Sequence, residues 1–210
     1  MALGQMVGDR WRKPSSFDSI FSERQDPWET TTSQSEAERF AVTFSVLDSS
    51  LHDRFGDAVE LGCAEGIFTE RLAPRCDHID ALDYSEVALA RARERLAGHA
   101  GITFRRWDMR HDRLRNSYDL VVAMGVLTSL YRPFDVRRVC DMIVGAIRPG
   151  GFLLFSDVRQ SEVFETAWWG SRLLRGGEQI RRLLKANRKL ETLRTAETAN
   201  HVYALFRRRS

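Results

Sequence analysis

The stretch Glu60-Leu61-Gly62-Cys63-Ala64-Glu65-Gly66 carries the residue types with the most chemical content in this chain. An acid stands at 60, and small residues recur at 62, 64 and 66 just after the apolar pair Ala58-Val59. Small residues in a tight strand-to-helix turn remove side-chain obstruction, so backbone N–H groups can approach a ligand. A dinucleotide fingerprint at this place needs small residues at 62, 64 and 67, and position 67 is Ile. Roughly twenty residues on, Asp83 closes a second apolar run. A carboxylate there either accepts both hydroxyls of a ribose or caps the following helix together with Ser85. Glu60 on a buried strand is costly unless its charge is satisfied, by a ligand's ammonium or by the N–H groups of the turn itself.

Further candidates lie where other strands end. Asp108 and Met109 follow a third strand, as ligand contacts or simply as a loop acid and a core thioether. Met124 and Gly125 close a fourth strand, at the carboxyl edge where open α/β sheets bind ligands. Leu127, Thr128, Ser129 and Tyr131 follow, toward an acceptor or into solvent. Trp28, beside Pro27, is large enough to cover a ligand or to pin the tail to the core, and Arg39 either pairs with a carboxylate or lies solvated on a helix. Trp168 and Trp169 offer aromatic faces suited to sugar rings or an amine cation. His52, His78, His99, His111 and His201 have no metal-ligand spacing, so no metal is expected. Spacing defends no Ser-His-Asp arrangement, and no residue is assigned as catalytic.

These residues need a scaffold. To Thr32 the chain is polar with isolated aromatics at Trp11, Phe17, Phe21 and Trp28, a loose tail or a short docking helix. Ser33 or Ser35 caps a helix with Glu36 and Glu38 in its first turn. Phe40, Phe44, Leu47 and Leu51 recur at helical spacing, and Gly56 ends the segment. A strand over 58–61 leads into the turn, and a helix over 67–72 stops at Pro74. A second strand over 78–82 ends in Asp83, Ser85 caps a helix closed by Gly98, and a third strand covers 102–104. The nearly continuous apolar run Tyr118 to Met124 suits a central parallel strand buried on both faces. A helix follows to Ile147, Pro149-Gly150-Gly151 turns the chain, and a fifth strand covers 152–155. This alternation predicts an α/β, doubly wound, Rossmann-like sheet, mostly parallel. After a helix near 178–186, strand candidates at 190–195 and 201–206 predict an antiparallel hairpin at one edge, seven strands in all.

The 210 residues, 43% hydrophobic and 29% charged, suffice for one domain with a real core and exclude disorder as the main state. A net charge of +3 falls short of the dense basic patch of phosphate-driven binding. Cys63, Cys76 and Cys140 are odd in number and show no C-x-x-C, which argues against disulfides or structural zinc and for a reducing, cytoplasmic setting. No apolar run is long enough to span a membrane, and Met1 to Lys13 lacks the apolar core of a signal peptide.

The pattern E-x-G-x-(G/A)-x-G after the first strand resembles motif I of class I S-adenosylmethionine-dependent methyltransferases. The rest of that pattern follows in order: Asp83, Asp108, Tyr118-Asp119-Leu120-Val121-Val122, and Ile147-Arg148-Pro149-Gly150-Gly151. Within that family the chain is similar to the nodulation N-methyltransferase (NodS-like) group, through Asp26-Pro27-Trp28, Ser35-Glu36-Ala37-Glu38-Arg39 and Gly176-Gly177-Glu178 with the closing strands. That group methylates an amine on a chitooligosaccharide. The resemblance implies one methyltransferase domain over 1–210: an N-terminal lid segment to 50, a cofactor core over 51–157, and a substrate-side segment from 158. It implies S-adenosyl-L-methionine as cofactor, with Glu60, Gly62, Cys63, Ala64 and Gly66 forming the cradle and Asp83 on the ribose. Tyr84, Asp108 and Met109 would meet the adenine, Met124 the methionine part, and Trp28 and Arg39 would cover it.

The expected reaction is N-methylation of a small-molecule amine or amino sugar. O-methylation of a natural product or sugar hydroxyl is the alternative, and it makes greater demands on a general base. Asp26-Pro27-Trp28 is one proline short of the D-P-P-W signature of adenine methyltransferases, and no N-P-P-Y-like segment follows the fourth strand. A nucleic acid is therefore not the expected partner, nor is a membrane. A non-catalytic relative is the remaining alternative, against which Asp83 and the open turn argue.

Overall fold

The apolar run Tyr118–Met124 forms strand β4, and Leu120, Val121, Val122 and Ala123 in it are fully buried. Burial on both faces follows from its place in a seven-stranded sheet of order β3-β2-β1-β4-β5-β7-β6. The computed structural model describes residues 15–114, 117–130, 133–159 and 176–210. Met1 to Lys13, Tyr131, Trp168 and Trp169 lie outside the described residues.

In chain order the elements are α1 (Ser15–Glu23), α2 (Gln34–Asp48), β1 (Phe55–Leu61), α3 (Ile67–Leu72), β2 (Cys76–Asp83), α4 (Glu86–Arg95) and β3 (Ile102–Arg106). After β4 come α5 (Pro133–Ala146), β5 (Ile147–Val158), α6 (Gly177–Lys185), β6 (Leu190–Glu197) and β7 (His201–Arg208). Strands β1 to β5 run parallel, and β7 pairs antiparallel with both β5 and β6. This is the mostly parallel sheet with an antiparallel C-terminal edge that the residue pattern predicts.

Alternation along the strands divides the core between two helical layers. On one face Phe40 and Leu47 of α2, Phe68 of α3 and Leu89 of α4 pack against Leu120, Val122, Leu154 and Leu205. On the other, Val136, Val139 and Ile143 of α5 and Leu184 of α6 pack against Val121, Ala123, Leu153 and Phe206. Each of the Val, Leu, Ile and Phe side chains among these stabilises the fold by about 1.5–3 kcal/mol relative to exposure.

Three local expectations are corrected. Leu51 does not continue the apolar stripe of α2: it is 92% exposed, with φ +59°, because the helix ends at Asp48 and Phe55 is the next side chain to enter the core. Gly56 does not end that helix but lies inside β1. A Cβ there would stand 2.7 Å from the Asp119 carboxylate, so the glycine leaves room for an acid that also accepts from Asp57 N and Arg148. Pro149-Gly150-Gly151 does not turn the chain out of the sheet. It lies within β5, where the register against β4 shifts between Tyr118 and Leu120.

Candidate active site

The order of the sheet reverses between β1 and β4, the place where open α/β sheets form their ligand crevice. The turn after β1 is bound to the end of β2. Gly62 N and Cys63 N donate to Leu82 O at 2.7 and 3.0 Å, Ala64 N donates to Asp83 Oδ2 at 2.9 Å, and Gly66 N donates to Cys63 O at 2.9 Å. These four N–H groups of the turn are thus engaged within the fold. Gly62, Ala64 and Gly66 all have positive φ, at +73°, +48° and +78°. For Ala64 this conformation costs about 1 kcal/mol, a local strain held in place by the bond to Asp83. A Cβ on Gly66 would stand 3.1 Å from Leu96 and 3.2 Å from Ala92, so the glycine lets α4 approach the turn.

Asp83 is fixed from two sides, with Oδ2 on Ala64 N and Oδ1 on Ser85 N at 2.8 Å. Burial raises its carboxyl above the ordinary carboxylate range, against the lowering effect of these N–H groups. Each oxygen keeps capacity for a second donor, so two ribose hydroxyls fit the group as it stands. Helix capping falls to Ser85, whose Oγ accepts from Ala88 N at 3.2 Å. Glu60 lies buried beneath the turn. Within the fold its carboxylate is met by Thr69 of α3, whose hydroxyl donates to Oε2 at 2.6 Å. Burial pushes the Glu60 carboxyl up to about 7, and the nearby Asp83 charge adds to the shift. Cys63 contributes backbone only, because its thiol is buried in the core and pushed well above the ordinary thiol range by that burial.

The wall on the β3 side is partly occupied by its own side chains. Asp108 accepts from Arg110 N, Nε and Nη2 at 2.9, 3.0 and 2.8 Å. Burial works to raise its carboxyl, but these bonds outweigh it and hold it below the ordinary range. The Arg106 guanidinium lies 4.8 Å over the Tyr84 ring, and Phe17 of α1 tilts against that ring at 6.4 Å. Met109 packs against the α5-side core.

Opposite stands the end of β4. Met124 leans toward α2, where Thr43 Oγ1 lies 3.8 Å from its sulfur. Gly125 has φ +68°, and its N donates to Ser156 O at 2.7 Å. Arg39 of α2 pairs with Glu36 and covers Gly125, while its Nε is buried with no hydrogen-bond partner. His201, buried at the start of β7, is pushed down to about 4 by burial and by the charge of Arg39.

The N-terminal segment docks on α4. Ser85 Oγ donates to Asp18 Oδ1 at 2.6 Å. Arg91 reaches the carbonyls of Phe21, Arg24 and Gln25 and the Glu65 carboxylate, at 2.7 to 3.1 Å. Asp26 accepts from N and Oγ1 of both Thr30 and Thr31, so it organises the turn that presents Trp28. Trp28 stands edge-on to Phe21 at 6.4 Å.

The fold therefore brings the 60–66 stretch, Asp83 and Met124 together at the carboxyl ends of β1, β2 and β4, sets Arg39 beside Gly125, and joins Trp28 to the motif turn through Phe21, Arg91 and Glu65. Sequence reasoning missed Arg91, Glu65, Asp18 and Asp157. An acid closing a strand, as Asp83 does, was the one signal available for Asp157. Among the described residues no group of three His, Cys, Asp or Glu side chains could hold a metal ion.

Residues 22–201 match the family described as Nodulation protein S (NodS). Nodulation protein S of Rhizobium tropici is 31% identical over 136 residues, 65% of this chain and 56% of that protein. The chain thus spans little more than half the length of that relative. A ubiquinone biosynthesis O-methyltransferase of Paraburkholderia xenovorans is 25% identical over 124 residues, 57% of this chain and 52% of that protein. The crystal structure of N-methyltransferase NodS from Bradyrhizobium japonicum WM9, in complex with S-adenosyl-L-homocysteine, superposes with a TM-score of 0.79 at 27% identity, covering 93% of this chain and 98% of that one.

Proposed function

The chain belongs to the NodS family, and on that premise we propose that it is an S-adenosylmethionine-dependent methyltransferase acting on the nitrogen of a small-molecule amine, with an amino sugar as the leading acceptor class. The observation that carries this reading is Asp83, held by two backbone N–H groups beside a small-residue turn at the point where the sheet order reverses. Asp83 holds the ribose, the turn over 62–66 flanks the donor, and Arg39 pairs with the donor's carboxylate. Asp108 and Tyr84 flank the adenine, with Met109 behind them, and Met124 contributes backbone.

S-adenosylmethionine supplies an already activated methyl group, so the protein's work is alignment and exclusion of water. The N-terminal segment through Trp28 and Arg39 acts as a lid over this site, and its docking on α4 supports that role. An amine must be neutral to attack, and a hydroxyl needs a stronger base. The likeness to an N-methyltransferase structure over 93% of this chain supports nitrogen. The O-methyltransferase relative keeps oxygen as the second reading.

The proposal includes no nucleic acid, no membrane partner and no catalytic metal. Among the described residues no helix is long and apolar enough to cross a membrane. Three buried free cysteines support a cytoplasmic setting. The test is mass spectrometry after incubation with S-adenosylmethionine and a chitooligosaccharide bearing one free amine. The reading expects a methylated amine and no product from the fully N-acetylated oligosaccharide. Methylation of a hydroxyl in both would overturn the assignment to nitrogen.

A further inference from the structure

We propose that Asp157 is a positioning residue for the methyl-donor site: from the end of β5 its carboxylate sets the spacing between the turn after β4 and the turn after β1. This rests on the methyltransferase reading above. Asp157 is fully buried, and a buried carboxylate must be compensated by donors. Its Oδ2 accepts from Leu127 N and Thr128 N, both at 3.1 Å. Its Oδ1 accepts from Thr128 Oγ1 at 2.6 Å and Val158 N at 2.9 Å. Three of these four donors belong to the short 3₁₀ turn Leu127–Ser129.

That turn continues into the crevice. Ser129 Oγ donates to Val126 O at 2.6 Å, and Gly125 N is bound to Ser156 O, next to Asp157 in the same strand. Val126 then presses on the first turn: a Cβ on Gly62 would stand 2.9 Å from Val126 Cγ2. A continuous series of bonds and contacts thus runs from Asp157 through Thr128 and Val126 to Gly62. Rotation of the 3₁₀ turn would move Val126 against Gly62 and shift Gly125 beneath Arg39. Asp157 bonds the turn after β4 directly and reaches Gly62 only through the backbone it holds and Val126.

The experiment compares full-length wild type, Asp157→Asn, Thr128→Val and Thr128→Ser by calorimetric titration with S-adenosylhomocysteine and by thermal melting. Losing bonds to a charged acceptor should weaken S-adenosylhomocysteine about tenfold or more in Asp157→Asn and about threefold to tenfold in Thr128→Val. Thr128→Ser keeps the hydroxyl and should restore wild-type affinity. A purely structural Asp157 would lower the melting temperature and leave the Kd unchanged. That result in the folded variants, or Thr128→Ser binding as weakly as Thr128→Val, overturns the proposal. If Asp157→Asn does not fold, the two Thr128 variants decide. Failure of the wild type to bind overturns the methyltransferase reading and this proposal with it; wild-type binding with unaffected variants overturns this proposal alone.

Discussion

Arg39 Nη1 lies 2.8 Å from the point where a Cβ on Gly125 would stand. The guanidinium rests on a bare Cα, and φ at that glycine is +68°. Gly125→Ala should displace Arg39 and strain the backbone. The expected outcome is a loss of S-adenosylhomocysteine affinity of about 1.5–3 kcal/mol, the value of hydrogen bonds to a charged group, with a stability loss of about 1 kcal/mol. Calorimetric titration and denaturant melts check it. Unchanged affinity would remove Arg39 from the site.

Glu60 predicts a pH dependence with a definite sign. Its carboxyl is raised from the ordinary 4.5 to about 7 in the fold. Between those values the folded chain holds a proton that the unfolded chain has released, so this group's contribution is full below 4.5 and is lost as pH rises through 7. The loss amounts to about 3 kcal/mol. His201 acts in the opposite sense: lowered from 6.5 to about 4, it stabilises the fold above 6.5 and loses that contribution as pH falls through 4. The two slopes oppose each other from 4.5 to 6.5, so the informative quantity is the difference between Glu60→Gln and wild type. Denaturant melts should show Glu60→Gln gaining on wild type from pH 5 to pH 8. A constant difference across that range contradicts the assignment.

Arg91 joins α1 to the motif turn through Glu65 and the Phe21 carbonyl. Ordering a segment costs conformational entropy, which ligand contacts then offset. Hydrogen exchange of residues 15–40 should slow when S-adenosylhomocysteine is added, and Arg91→Met should reduce that protection. Unchanged fast exchange at saturating ligand would sink the lid assignment for Trp28 and Arg39.

What the chain discloses locally, it disclosed well. The apolar run of β4, the Ser85 cap and the small-residue turn with Asp83 depend on residue type and short spacing, and the structure has them where the pattern puts them. What stayed hidden depends on the order of the strands. Ser85 meets Asp18, Arg91 meets Glu65 and Thr128 meets Asp157 across 67, 26 and 29 positions, and local patterning is blind to such partners. Nothing local shows that Leu82 O stands beside Gly62 N and Cys63 N. Leu51 fits the helical period of α2 and still lies outside it, since periodicity does not say where a helix must stop to let a strand begin. The pairing of Asp108 with Arg110, only two positions away, was within reach of spacing alone.

The proposed methyltransferase site depends above all on Asp83 as the carboxylate that holds the ribose of S-adenosylmethionine. Its most direct test is calorimetric titration of S-adenosylhomocysteine into wild type and Asp83→Ala, with melting curves to establish that both are folded. The wild type should bind, and Asp83→Ala should lose about 1–3 kcal/mol of binding, the range for hydrogen bonds to a charged acceptor. Equal binding by the two proteins, or no binding by the wild type at millimolar ligand, would contradict it.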